Sequence, residues 1–367
     1  MRPEPEPGER DGFPTPPSPF RPRRRPALLA TGASALVTLV TLGSVLAARG
    51  AADDAPSAAG AGGGRPGTSL TASLPWPQEG QAAVLVEGIG PQGTAAVHGP
   101  RRPVPIASVT KVMTAYVILR DHPLRGDAPG PLVTVDAEAA GESFSGAEST
   151  VEVRPGQRLS QRRLLELMLV PSGNNIARLL ARWDAGSQEA FVARMNRAAD
   201  DLGMDDTTYT GASGIESTTT STAADQLKLA RQVMRDEVFR SVVALPRTAP
   251  AVGSATIPNS NELLAAPGVI GIKTGSSTPA GGALMWAVDV ADRTGRRHLA
   301  LGVVLHQRAG TSPQEGLHAV FDTSRALVDE VRHRMAAIVP APGPAPAPAT
   351  ASATDTGSDT DAPSGTR

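Results

Sequence analysis

Through the middle of the chain, apolar residues recur at three- and four-residue spacing, whereas toward both ends of that region they bunch into short runs. SQRRLLELMLV (160–170), NIARLLARW (175–183), EAFVARMNRAADDLG (189–203) and AADQLKLARQVM (223–234) follow the helical period, with Gly203 placed to cap the third. HAVFDTSRALVDEVRHRMAAI (318–338) predicts a last helix. QAAVLVEG (81–88) and TAAVHG (94–99) read as a strand pair, and GALMWAVDVAD (282–292) and HLALGVVLH (298–306) as two more strands. Strands at both ends with helices between them predict an α+β fold whose sheet is assembled from distant segments.

The flanks have a different pattern. Residues 1–25 combine proline with charge and cannot bury a core, so they read as a disordered arm. An uncharged run from Pro26 to Ala48 follows RPRRR at 21–25 and is long enough to cross a bilayer as a helix. Arginines before the run and none within it put the amino terminus in the cytoplasm. A cleaved signal peptide is the alternative, because VLAARGAA offers small residues for cleavage, but the run exceeds a usual signal core. Residues 49–75 read as a flexible linker and 339–367 as a Pro/Ala-rich spacer with a polar end, leaving 76–338 as one folded catalytic unit.

Composition narrows the chemistry. A formal charge of −1 and 3% aromatic residues give neither the electrostatic footprint nor the stacking surface of a nucleic-acid binder. With no cysteine, thiol catalysis, thiolate metal sites and disulfides are excluded. The six histidines, His98, His122, His298, His306, His318 and His333, show no metal-ligand spacing, so neither a metal nor a cofactor is expected.

Of the 35 basic residues only Lys111, Lys228 and Lys273 are lysine, and two of these fall in chemically suggestive patterns. In VPIASVTKVMTAY (104–116), the apolar positions Val109, Val112, Met113, Tyr116 and Val117 put Ser108 near a helix start and Lys111 one turn later on the same face. A neutral lysine can take the proton of a serine nucleophile, and burial or a nearby cation lowers its pKa toward that role; arginine stays protonated. Taken alone, Ser108 serves as readily as a helix cap and Lys111 as a snorkelling side chain. In LVPSGNNIA, Pro171 and Gly173 break the helix and turn Ser172 and Asn174 into a loop, which is also what an ordinary helix–helix turn looks like. VIGIKTGSSTPAGG puts Lys273, Thr274 and Gly275 at the end of an apolar strand, where glycine permits close approach or simply ends the strand.

Each pattern occurs once, in the order Ser-x-x-Lys, Ser-x-Asn, Lys-Thr-Gly, and the set resembles the penicillin-binding D-alanyl-D-alanine carboxypeptidases. The similarity spans about 80–310 and extends beyond the motifs, through ASVTKVMTAYVIL, LMLVPSGNNIARLLA, STAADQLKLARQVM and GVIGIKTGSSTPAGGALMWA. The resemblance implies an antiparallel sheet flanked by helices with a helical lobe. It implies that Ser108 attacks the carbonyl between two terminal D-alanines, Lys111 accepts its proton and Ser172 helps protonate the leaving amine. Asn174 would orient the substrate amide, Lys273 and Thr274 would hold its carboxylate, Gly275 would complete the motif, and the N–H groups of Ser108 and Ser276 would form an oxyanion hole. Peptidoglycan stem peptides are then the substrates, β-lactams the inhibitors and the membrane a partner through 26–48.

Some features depart from the family pattern. ESTTTSTAAD lacks the histidine that often precedes the STA element, and no room remains for the extra all-β domain of some members. The carboxylate-gripping arginine expected on the strand after Lys-Thr-Gly has Arg296 and Arg297 as candidates, with the register undecided. Two rival functions stay open: a class A-like β-lactamase, for which Glu189 would have to supply a deacylating carboxylate from a segment that reads as helix, and a non-catalytic, membrane-anchored wall-binding protein.

Overall fold

A computed structural model of the protein describes residues 74–89 and 95–338. The arm, the 26–48 run, most of the linker and the tail lie outside the described residues; among those described, no helix is long and apolar enough to cross a membrane.

In chain order the strands are β1 (Gln81–Val86), β2 (Ala96–His98), β3 (Val104–Pro105), β4 (Leu132–Thr134), β5 (Arg158–Ser160), β6 (Thr220–Ser221), β7 (Arg247–Thr248), β8 (Ile257–Pro258), β9 (Val269–Ser277), β10 (Gly281–Ala291) and β11 (Arg297–Gln307). The helices are α1 (Lys111–Asp121), α2 (Ala137–Gly141), α3 (Gln161–Leu169), α4 (Asn174–Ala185), α5 (Gln188–Asp201), α6 (Ala223–Val233), α7 (Glu237–Val243) and α8 (Pro313–Ala337). The main sheet has the order β2-β1-β11-β10-β9 with antiparallel neighbours throughout, so Gln81, near the start of the folded region, pairs with Leu305 near its end. The expected α+β architecture and the sheet built from distant segments are both present.

All six residues of β1 are buried because the sheet is covered on both faces. Alternation along the strands divides two cores. Ala83, Leu85, Ala283, Met285 and Ala287 face the helical lobe, where they join side chains from α1 and α3–α7. Ala82, Val84, Leu284, Trp286 and Val288 face α8 through Val320, Phe321, Leu327, Val328 and Val331. Packing against Trp286 requires glycine at its cross-strand partner Gly302, where a Cβ would lie 2.0 Å from the indole. In α1 the first five residues are all buried, Lys111 included, as expected of a helix running through the middle of a core.

Three expectations need correction. First, the last helix begins at Pro313 rather than 318, because Ser312 and Glu315 form a reciprocal capping box with proline at the first turn. Second, Lys273, Thr274 and Gly275 lie within β9, which continues to Ser277, so they line a sheet edge rather than terminate a strand. Third, neither Arg296 nor Arg297 is near that motif. Arg297 opens β11 opposite Ala291, whereas Lys273 pairs with Met285 and Met285 with Val303. Six residues of strand, roughly 20 Å, separate the two positions. The arginine at the motif's end of β11 is Arg308, directly after Gln307, whose partner Gly282 pairs with Ser276.

Candidate active site

The nucleophile end is built from a 3-10 turn, Ala107–Thr110, running into α1. Ala107 is held at φ 45°, an unfavourable conformation for a residue with a Cβ, and Thr110 Oγ1 donates to its carbonyl at 2.7 Å. Gly214 closes over the same carbonyl, where a Cβ would approach to 2.0 Å. Ser108 makes no capping hydrogen bond, so the cap reading does not hold. Its backbone N–H lies in the first turn, where helices leave donors without an intrahelical partner.

Lys111 is fully buried, not snorkelling. Its Nζ lies 2.8 Å from Ser108 Oγ, 2.5 Å from Asn174 Oδ1 and 2.7 Å from the Ser213 carbonyl oxygen. Burial holds its pKa well below the ordinary lysine value; Lys273 and Arg178 push it the same way, against Glu148 and Glu216. A neutral amine has two N–H groups and one lone pair. Asn174 and Ser213 present acceptors only and take the two N–H groups, which leaves the lone pair for the one partner that can donate, the Ser108 hydroxyl.

The break between α3 and α4 supplies the second wall. Gly173 is required there because a Cβ would lie 2.8 Å from the Leu167 carbonyl oxygen. Ser172 adopts φ 69°, and its hydroxyl has no hydrogen-bond partner among the described residues. Asn174 is the first residue of α4; its Nδ2 donates to Glu148 Oε2 at 2.6 Å. Behind it Arg178 donates to Glu148 Oε1 at 2.7 Å and Oε2 at 3.2 Å through its two Nη atoms, and to both oxygens of Glu142 through Nε at 2.9 and 3.0 Å. Those hydrogen bonds, chiefly from Arg178, hold the Glu148 carboxyl below its ordinary value against the effect of its own burial.

The third wall is β9. Lys273 is buried and its pKa falls to about 7 through desolvation. Its Nζ donates to the Thr274 carbonyl at 3.0 Å and lies 3.4 Å from Ser260 Oγ, which is itself 2.8 Å from Thr274 Oγ1. Gly275 packs directly on the 3-10 turn, so that a Cβ would lie 2.9 Å from both the Ile106 oxygen and the Ser108 nitrogen. Ser276 follows along the same edge.

The structure thus joins Ser108, Lys111 and Asn174 by direct hydrogen bonds, sets Gly275 against Ser108, and places Ser172 beside Asn174. Lys273 and Thr274 connect to one another and to Ser260 rather than to Ser108. Sequence reasoning missed Ser213, which contributes only a carbonyl, together with Ser260, Glu142, Glu148 and Arg308. Arg178 had a visible signal: a cation in the middle of the otherwise apolar face of NIARLLA, one turn after Asn174. Glu189, the acid a β-lactamase would need, stands exposed in the first turn of α5.

Comparison with known proteins agrees with this geometry. The family Peptidase S11, D-alanyl-D-alanine carboxypeptidase, matches residues 78–306. A D-alanyl-D-alanine carboxypeptidase of Streptomyces sp. (strain K15) is 30% identical over 276 residues, covering 71% of this chain and 89% of the relative. The carboxypeptidase DacB2 of Mycobacterium tuberculosis is 33% identical over 230 residues, covering 61% and 75%. Among solved structures, the Streptomyces K15 DD-transpeptidase superposes with a TM-score of 0.56 at 26% identity, over 68% of this chain and 96% of that one. Penicillin binding protein 6B of Escherichia coli gives 0.58 at 27% identity, over 70% and 79%. With Ser108, Lys111 and Asn174 joined by hydrogen bonds, Gly275 packed on the Ser108 turn, and the family matched across most of the folded region, the chain belongs to the Peptidase S11 family of serine-type D-alanyl-D-alanine carboxypeptidases.

Proposed function

We propose that Ser108 is the nucleophile and Lys111 the base with which this protein removes the terminal D-alanine of peptidoglycan stem pentapeptides. The hydroxyl proton passes to Lys111 as Oγ attacks the penultimate D-alanine carbonyl, and the N–H groups of Ser108 and Ser276 hold the oxyanion. The proton then goes to the leaving amine with the help of Ser172, D-alanine departs, and water hydrolyses the Ser108 ester. Asn174 keeps one N–H beyond the one bound by Glu148 with which to meet the substrate amide. Lys273 and Thr274 take the terminal carboxylate, joined by Arg308 in place of Arg296 or Arg297. A β-lactam forms the same ester.

The observation that carries this reading is the Lys111 contact set: a buried amine whose two other partners are acceptors, facing a serine hydroxyl at 2.8 Å. Rapid β-lactam hydrolysis is disfavoured, since Glu189 is remote in role and Glu148 has both oxygens engaged. Transfer to an amine in place of water is the second reading, favoured by the structural likeness to the K15 DD-transpeptidase. The purified chain, incubated with a pentapeptide ending in D-Ala-D-Ala and with fluorescent penicillin, should release free D-alanine and retain one penicillin per molecule. Binding without release of D-alanine would reduce it to a wall-binding protein. Residues 26–48 are proposed to anchor it in the cytoplasmic membrane with 76–338 outside.

A further inference from the structure

The charged side chains behind Asn174 take no part in the proposed reaction, yet Arg178 is buried, its two carboxylate partners are partly buried, and all three are tightly satisfied. Arg178 is 7% exposed and forks between two carboxylates, Glu142 and Glu148. The segment that carries both acids is tied to the start of α4 by the Asn174 N–H, which donates to the Ser149 carbonyl at 2.8 Å, and is braced internally by Thr150 Oγ1, which donates to the Ser143 carbonyl at 3.0 Å.

A primary amide has two orientations of nearly equal shape and opposite polarity. Glu148, an ionised carboxylate, accepts only, so the half of the Asn174 amide that faces it must be Nδ2. The other half, Oδ1, is thereby turned to Lys111. In the reversed orientation an N–H of Asn174 would face Nζ and take up the lone pair that Ser108 requires, while two oxygens would face one another at Glu148. The bidentate hold of Arg178 prevents Glu148 from rotating away, and Glu142 fixes Arg178 in turn.

We propose that Glu142, Arg178 and Glu148 form a clamp of positioning residues that fixes the orientation of the Asn174 amide and so reserves the Lys111 lone pair for Ser108. The proposal rests on the assignment of Ser108 and Lys111 made above. Through it, a loop that never touches the scissile bond sets the competence of the base.

Glu148→Gln tests it, since the new amide keeps the shape but can donate to Asn174 as well as accept from it. Lys111 is faced by Lys273 from β9, Arg178 from α4, Glu216 from the loop after Ser213, and Glu148; losing the last removes a negative charge that holds the proton on Nζ. Penicillin acylation by the full-length variant, followed across pH with the melting temperature measured alongside, should therefore change in two ways. The plateau should fall by about 10- to 100-fold, the scale of a misplaced reacting group, and the acid limb should move to lower pH. Glu148→Asp, which keeps the charge on a shorter arm, should recover part of the rate with the limb near its original place, and serves as the readout should the Gln variant not fold. A plateau and limb both equal to the original, in either variant, overturn the clamp. So does a fall in rate with an unmoved limb in Glu148→Gln, which would assign these residues to folding alone. If Ser108→Ala, run in parallel, still labels, the nucleophile assignment fails; an unlabelled Ser108→Ala beside a wild-type-like Glu148→Gln rejects the clamp by itself.

Discussion

Gly275 and Ser108 are packed backbone to backbone: a methyl on Gly275 would lie 2.9 Å from the Ser108 nitrogen and 3.0 Å from that of Val109. The sheet edge and the Ser108 turn thus set one another's position. Gly275→Ala should force β9 away from the turn. Acylation by penicillin is expected to fall at least ~10²-fold, as for other displacements of reacting groups, while the circular dichroism of the folded chain stays unchanged. Wild-type acylation in a folded variant would show that the contact does not govern the site.

The scarcity of lysine gives a paired prediction. Lys111→Arg keeps a positive charge but supplies no lone pair, so acylation should fall by ~10²–10⁴, the range for loss of a general base. Lys228 lies on α6, half-exposed, paired with Asp225 at 2.9 Å and donating to the Gly203 carbonyl, and arginine can make both contacts. Lys228→Arg should acylate as the original does. Equal behaviour of the two variants in a stopped-flow assay would remove the argument from residue choice.

Lys273 predicts the alkaline side of the pH profile. Burial lowers its pKa to about 7, so its charge is present below that value and is lost as pH rises through it. Lys111, by contrast, is held well below the ordinary lysine value by its burial, with Lys273 and Arg178 adding to the effect. The kcat/KM for a peptide ending in a free carboxylate should therefore decline above about pH 7. Lys273→Arg, which stays protonated, should abolish that decline even if its maximum is lower. A decline unaltered by the substitution would assign it to another group.

The outline of the fold was legible because both kinds of period were clean. The strands 81–86 and 297–307 and the helices from Gln161 to Val233 fall within a few residues of where alternation and helical spacing put them. Short pairs such as β4 with β5 and β7 with β8 escaped, since two or three residues carry no period. The motif residues of the site were legible as residue types at fixed spacing, but their supports were not. Ser213 acts through a carbonyl that any residue would supply, and the Glu148–Arg178 pair joins positions 30 residues apart that nothing local connects. Arg308 shows the same limit from another side: counting along a strand cannot choose between arginines at its two ends until the register is known.

On the proposed topology, the uncharged run at 26–48, preceded by Arg21 and Arg23–Arg25, should leave the catalytic unit outside the cell. Protease added to intact, wall-stripped cells should destroy the catalytic unit and spare a short fragment holding the arm and anchor. Complete protection of the catalytic unit would contradict this topology, and a soluble mature protein beginning near Ala48 would favour a cleaved signal peptide.

The assignment of Ser108 as nucleophile is tested most directly by locating the penicillin adduct. Full-length protein saturated with penicillin and digested with a protease should show one modified peptide by mass spectrometry, with the added mass on Ser108. Ser108→Ala, folded to the same melting temperature, should carry none. An adduct on Ser172 or any other residue, or labelling that survives in Ser108→Ala, would contradict the account.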